Sequence, residues 1–161
     1  MKKELDSTEK ERIHEAAIQF LRTNHTMVLA TVSNTGEPSA AVVYFTHQEP
    51  FEFHILTVKG SRKCENIKAN GKIAFVIGTG PDTDTMQGGG VAELMEEKEA
   101  EIFFELVERI SLTSPFQWPV LALAKEHGFC AFRIRPTWLT WLVMDEEEYP
   151  DIARKEFYQL I

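Results

Sequence analysis

Apolar residues change their period several times along the chain, and each change marks an element. Thr8-Glu9-Lys10-Glu11 has the form of a helix-opening capping box, after which Ile13, Ala17, Phe20 and Leu21 recur at helical spacing. This predicts an opening helix that ends near Thr23. Met27 to Val32 is then β-branched and apolar, Asn34-Thr35-Gly36-Glu37 is a turn signal, and Ser39 to Thr46 is strand-like again. A hairpin follows from that order. After a turn at Gln48-Glu49-Pro50, Phe51 to Thr57 alternates and predicts a third strand.

Ser61 to Asn70 reads as a short helix with Ser61 as its N-cap and Asn70-Gly71 as its stop. Ile73 to Ile77 is a buried strand, and Thr85 to Leu94 a strand interrupted by Gly88-Gly89-Gly90, where backbone must bend or meet a close neighbour. A helical pattern runs from Glu96 to about Ile110, Pro115 and Pro119 bound a loop, and a shorter helix ends at His127-Gly128. Phe129 to Arg135 and Trp138 to Met144 are read as two closing strands divided at Pro136, and an amphipathic helix is predicted after Pro150. Short consecutive strands without regular strand-helix alternation predict an antiparallel sheet closed into a barrel with peripheral helices, a mainly β (α+β) chain.

The parts of that single domain, 1–161, are an N-terminal helix (1–24), a barrel core (26–94), a helical insertion (96–128), closing strands (129–144) and a C-terminal helix (150–161). A length of 161 residues with 43% hydrophobic residues fits one core. With 25 acidic against 17 basic residues the net charge is −8, which argues against nucleic acid and anionic membranes as partners. No run reaches the roughly 18 apolar residues of a transmembrane helix, so a cytoplasmic location is expected. Cys64 and Cys130 lie far apart without a CxxC spacing, which predicts reduced thiols and neither a zinc site nor a disulfide framework. Cys64 reads as a small core residue or, beside Arg62 and Lys63 in a helix's first turn, as a reactive thiol.

Positive charge is concentrated in one place. Residues 59–72 hold five basic residues and one acidic one, so this segment is +4 and the remainder −12. Arg62 and Lys63 fall in the first turn of the predicted helix, where the macrodipole disfavours cations by about 0.3–1 kcal/mol each. An anion would compensate them. Free N–H groups, a Ser hydroxyl, an Arg fork and a Lys ammonium together make a phosphate cradle, with Gly60 letting the backbone approach. On these residues alone an ordinary Ser-capped basic surface helix is the equal alternative.

The order Leu29 to Pro38, Ile55-Leu56-Thr57-Val58-Lys59-Gly60-Ser61-Arg62-Lys63, Asn66 to Asn70 and Gly90-Val91-Ala92-Glu93 resembles the pyridoxamine 5′-phosphate oxidase-like family. The resemblance covers about Thr26 to Leu94, with an echo in Phe132 to Trp138. It implies a split β-barrel homodimer with FMN in clefts between subunits. By position, Ser61, Arg62 and Lys63 would hold the phosphate, and Thr57 with the backbone at Leu56 would line the ribityl chain. Val43, Tyr44 and Phe45 would lie beside the ring, Thr85, Met86 and Gln87 would approach from the partner subunit, and Trp138 or Trp141 would stack nearby.

Two departures from the family pattern stand out. The Arg-x-His that grips pyridoxine phosphate has no match after Trp141, which argues against true pyridoxamine phosphate oxidase activity. Ala40 to Phe45 also holds no basic residue, leaving the phosphate to Arg62 and Lys63. The resemblance therefore implies an FMN-dependent oxidoreductase acting on a small molecule or reduced nicotinamide, with no catalytic side chain assigned. A non-enzymatic flavin-binding or redox-sensing protein, or a relative using deazaflavin or haem, would share the same cradle. The histidines have no metal spacing and read as surface or capping residues, with His25 and His127 the positional candidates for a haem ligand.

Overall fold

A computed structural model describes residues 6–81, 83–113, 119–144 and 157–161. Helix α1 (Ser7–Thr23) is followed by strands β1 (Thr26–Val32), β2 (Pro38–Gln48) and β3 (Glu52–Val58), then helix α2 (Arg62–Ala69). Next come β4 (Lys72–Ile77), β5 (Thr85–Leu94), α3 (Glu97–Thr113), α4 (Pro119–His127), β6 (Phe129–Leu142) and β7 (Phe157–Gln159). The strands run β3-β2-β1-β4-β5-β6-β7, all neighbours antiparallel, and β3 also pairs with β6. That last pairing closes six strands into the predicted barrel, which leaves β7 as a flap on β6.

Residues of alternate parity fill the barrel: Met27, Leu29, Phe45, Phe53, Ile55, Phe75, Ile77, Phe132, Ile134 and Trp141 are all buried in one cluster, with Phe20 and Leu21 of α1 plugging one end. A second cluster lies outside the barrel wall. Leu56 and Ala131 on the outer faces of β3 and β6 are covered by Phe103 and Val107 of α3 and Leu121 and Ala124 of α4. The helical insertion thus roofs the β3–β6 seam.

Several boundaries differ from the sequence reading, each for a local reason. Asp6 rather than Thr8 caps α1: its carboxylate accepts from the Glu9 amide at 2.8 Å while Glu9 reaches back to the Asp6 amide at 3.2 Å. β6 is one strand through Pro136 rather than two, because a bulge opposite Gly89 and Gly90 leaves Thr137 outside the register and absorbs the proline. Phe157–Gln159 forms a strand on β6 where a helix was predicted. Its Phe-Tyr-Gln alternation, with only Tyr158 buried, suits a strand edge. The remainder of that predicted helix, the acidic run from Asp145 and the loop around Pro115 lie outside the described residues.

The three glycines of β5 have separate reasons. A Cβ on Gly88 would lie 2.6 Å from the Phe75 ring and 2.8 Å from Leu139 Cδ1, so the core requires its absence. On Gly89 it would lie 2.5 Å from Trp138 Nε1. On Gly90 it would strike the Arg135 carbonyl oxygen and stand 2.8 Å from Pro136 Cα, backbone against backbone at the bulge.

Candidate functional site

The chain leaves β3 through a tight turn in which the Ser61 amide donates to the Val58 carbonyl at 3.1 Å and Gly60 takes φ 75°. A Cβ at Gly60 would meet nothing within 4 Å. Glycine is thus required here for its left-handed backbone and not to clear space for a ligand. The turn delivers Ser61 as N-cap of α2, its hydroxyl accepting from the Cys64 amide at 3.4 Å and lying 3.0 Å from Thr57 Oγ1. Capping uses one first-turn amide. The amides of Arg62 and Lys63 have no carbonyl within the helix to bond.

The other face of α2 anchors it. Cys64, Asn66 and Ile67 are buried, and Asn66 Nδ2 donates to Thr31 Oγ1 on β1 at 3.0 Å. Arg62 is exposed and Lys63 half-buried, and neither has an ion-pair partner among the described residues. By contrast Arg22, Arg133 and Arg135 are all paired with glutamates. Two cations, two open amides and the Ser61 hydroxyl therefore lie at one helix start, with the fully buried Thr57 hydroxyl behind Ser61, and this donor set fits a phosphate.

The other predicted site residues separate by strand face. Val43 and Phe45 point into the barrel and are buried, while Tyr44 points outward and packs under the α3–α4 roof beside Leu56. The Leu56 side chain is buried there too, so only its backbone faces other neighbours. Thr85 donates to the Gly78 carbonyl at 3.0 Å, Met86 is fully buried in the core, and Gln87 lies on the open outer face. Trp141 lies inside the barrel. Its ring is fully buried, 5.8 Å from Phe20, whereas Trp138 is 43% exposed over Gly89. The bulge at Thr137 shifts side-chain parity by one, which puts Trp138 outside and Trp141 inside.

That open face is apolar and regular. Across the strands, Val42, Val28, Val76, Gln87 and Thr140 form one row and Ala40, Ala30, Ala74, Gly89 and Trp138 the next. Val42 is 66% exposed. A shallow cavity of about 160 Å³ opens at its edge, lined by Val28, Val42 and Val76 with Asn24 and Thr79.

Sequence reasoning missed one polar cluster. Glu52 bonds His54 Nε2 at 2.8 Å, Arg133 Nε at 3.1 Å and Arg135 Nε at 3.1 Å, and Arg135 also bonds Glu93 at 2.7 Å. His54, read as exposed, is buried beneath the Phe103 ring because α3 roofs its strand face. Burial alone would raise the Glu52 carboxyl. The hydrogen bond from His54 and the charges of His54, Arg133 and Arg135 outweigh it and hold the carboxyl below its ordinary 4.5. Among the described residues no group of three or more His, Cys, Asp or Glu could hold a metal, and no helix is long and apolar enough to cross a membrane.

A closed antiparallel six-strand barrel with peripheral helices defines a protein of the split-barrel class. Residues 13–140 match the family model "Pyridoxamine 5'-phosphate oxidase", and the chain belongs to that family. It is 34% identical over 92 residues to a pyridoxine/pyridoxamine 5′-phosphate oxidase of Alcanivorax borkumensis, covering 57% of this chain and 44% of that protein. A Hahella chejuensis protein of the same name is 32% identical over 102 residues, covering 63% and 45%. This chain therefore spans less than half the length of these curated relatives. Among solved structures, general stress protein 26 of Bacillus anthracis is similar with a TM-score of 0.63 at 20% identity, covering 92% of this chain and 99% of that one. HutZ, the haem storage protein of Vibrio cholerae, is similar with a TM-score of 0.63 at 18% identity, covering 80% and 93%. These likenesses show the shared fold.

Proposed function

We propose that this chain binds FMN, with its phosphate on Ser61, Arg62 and Lys63 and with Thr57 holding Ser61 from behind, in a cleft completed by a second copy, and acts as an oxidoreductase on a small molecule. The observation that carries the reading is that Arg62 and Lys63, at the start of α2, have no ion-pair partner among the described residues, cations at the helix end that favours an anion. Membership of an oxidase family supports FMN as that anion's owner. Bound FMN would supply two-electron chemistry, and the chain's residues would bind, orient and shield it.

Surface chemistry supports the second copy. The two rows from Val42 to Thr140 and from Ala40 to Trp138 carry no charged side chain, and a face of that kind is stable in water when another surface covers it. Gln87 and Trp138 sit on this face, which would bring them, rather than Trp141, towards a cofactor held at the subunit boundary. The reading assigns no acid or base.

A visible spectrum of the purified protein tests the cofactor, with flavin bands expected and a Soret band decisive for the haem alternative. The double variant Arg62→Ala with Lys63→Ala should lose FMN while keeping its circular dichroism, and unchanged FMN affinity would overturn the cradle. Bleaching of the flavin by reduced nicotinamide at a catalytic rate supports an enzyme; a bound flavin that no reductant turns over favours a carrier or sensor.

A further inference from the structure

Two cysteines distant in sequence meet beneath the cradle. Cys130 on β6 stands directly opposite Thr57 on β3, so the two side chains share the inner face of the barrel wall. Thr57 Oγ1 lies 3.0 Å from Ser61 Oγ, which in turn accepts from the Cys64 amide. Cys64 and Cys130 are both buried and belong to the same apolar cluster. Each also acts on the Lys68 ammonium one turn further along α2, Cys64 more strongly than Cys130.

We propose that Cys64 and Cys130 form a peroxide-sensitive dithiol, whose closure to a disulfide weakens the phosphate grip at the start of α2. The disulfide stands on the placement of the two buried cysteines, Cys130 opposite Thr57 and Cys64 tied to Thr57 through Ser61; only its effect on FMN rests on the function proposed above.

Burial first, and then the neighbouring Cys130 thiol, push Cys64 up to about 11, so it holds little thiolate at neutral pH. Cys130 keeps 5% of its surface exposed where Cys64 is fully enclosed, so Cys130 is the thiol that peroxide reaches first. Its thiolate attacks one oxygen of hydrogen peroxide, the S–O bond forms, the O–O bond breaks, and the departing hydroxide takes up the proton that the Cys130 thiol released, leaving as water. Cys64 sulfur then attacks the sulfenic sulfur: the S–S bond forms, the S–O bond breaks, and the departing hydroxide leaves as water with the Cys64 proton. Two thiols lose two electrons and one peroxide gains them, giving a disulfide and two waters. Peroxide is close to water in size and can reach the pair through opening of a short helix, whereas a bulky disulfide oxidant cannot.

The coupling to phosphate is mechanical. An S–S bond of about 2.05 Å is shorter than any non-bonded sulfur contact, so oxidation draws the first turn of α2 towards β6. Cys64 follows Lys63 directly, and its amide is the one Ser61 caps. Movement there displaces the two open amides and the capping hydroxyl together.

The test treats the folded chain with hydrogen peroxide, quenches with an alkylating agent, and maps the peptides without reduction. FMN titration and amide hydrogen exchange of residues 62–65 are read on the same samples. The expected result is a peptide pair joining Cys64 to Cys130 with the mass loss of two hydrogens, FMN binding about tenfold weaker, faster exchange in the first turn, and reversal of all three by dithiothreitol. Cys64→Ala should stop at a sulfenic acid on Cys130 that dimedone traps, and Cys130→Ala should keep its FMN affinity through the same treatment. Both thiols remaining open to alkylation after unfolding, or a crosslink that changes neither FMN affinity nor exchange, would overturn the proposal. Should the reduced chain bind no FMN, the function proposed above fails on its own, and crosslink and exchange still decide the dithiol.

Discussion

Thr57 Oγ1 and Ser61 Oγ lie 3.0 Å apart and join the last inward position of β3 to the cap of α2. Through this pair the barrel wall fixes where the helix begins. Ser61→Ala should cost about 1 kcal/mol through loss of the cap and also weaken FMN binding. Thr57→Val, which keeps the shape but not the hydroxyl, should cost about 1 kcal/mol or less and still weaken FMN. Urea unfolding beside FMN titration separates the effects, and a Thr57→Val protein with native FMN affinity would remove Thr57 from the cradle.

Neighbouring glycines should behave differently. At Gly90 an added methyl meets the backbone of Arg135, Pro136 and Thr137, which cannot rotate away, so Gly90→Ala is expected to destabilise by about 1–3 kcal/mol. At Gly89 it meets the indole of Trp138, a half-exposed side chain that can swing outward. Gly89→Ala should therefore be mild in stability and visible in the tryptophan fluorescence. Equal losses for the two variants, read from thermal unfolding, would contradict this distinction.

Glu52 should govern the acid limb of stability. Its carboxyl is held below 4.5 in the fold, so the native state binds fewer protons than the unfolded chain there. Its contribution is present above pH 4.5 and is lost as the pH falls through the folded value. His47 acts in the same sense at higher pH, since burial first and then the Arg22 charge hold it below 6.5, and that contribution fades as the pH drops under 6.5. Glu52→Gln should flatten the fall in urea midpoint below pH 4.5, and His47→Gln the fall just below 6.5. A wild-type midpoint independent of pH over both windows would refute the assignment.

The apolar face gives a direct test of assembly. Val42→Glu puts a carboxylate beside Val28 at the β2 end of one row, where burial against a second copy would desolvate it. The variant should be monomeric by light scattering, keep its barrel by circular dichroism, and bind FMN more weakly than the wild type. A wild type that is already monomeric would remove the shared cleft.

Much of this was legible because the period-2 and period-3.6 patterns are strong where one face is buried. Ile13, Ala17, Phe20 and Leu21 placed α1, the turn at Gly36 placed the first hairpin, and Ser61 was correctly read as a cap. The faces of Trp138 and Trp141 were not legible, because one extra residue at Thr137 reverses parity within a strand that the sequence divides at Pro136. His54 and the cysteines illustrate a second limit. What covers a strand face, or which thiol lies opposite which threonine, depends on strand pairing between distant segments, and local pattern does not encode it.

The roof over the β3–β6 seam leaves and re-enters the sheet at adjacent points. β5 still pairs Leu94 with Phe132, and the Met95 amide donates to the Ala131 carbonyl at 2.9 Å just before the chain departs into α3. Because both ends are already held side by side, the barrel pays little extra entropy for whatever length of chain lies between them. The length of the excursion is therefore cheap to the barrel, and its constraint lies in the apolar residues of α3 and α4 that cover Leu56 and Ala131.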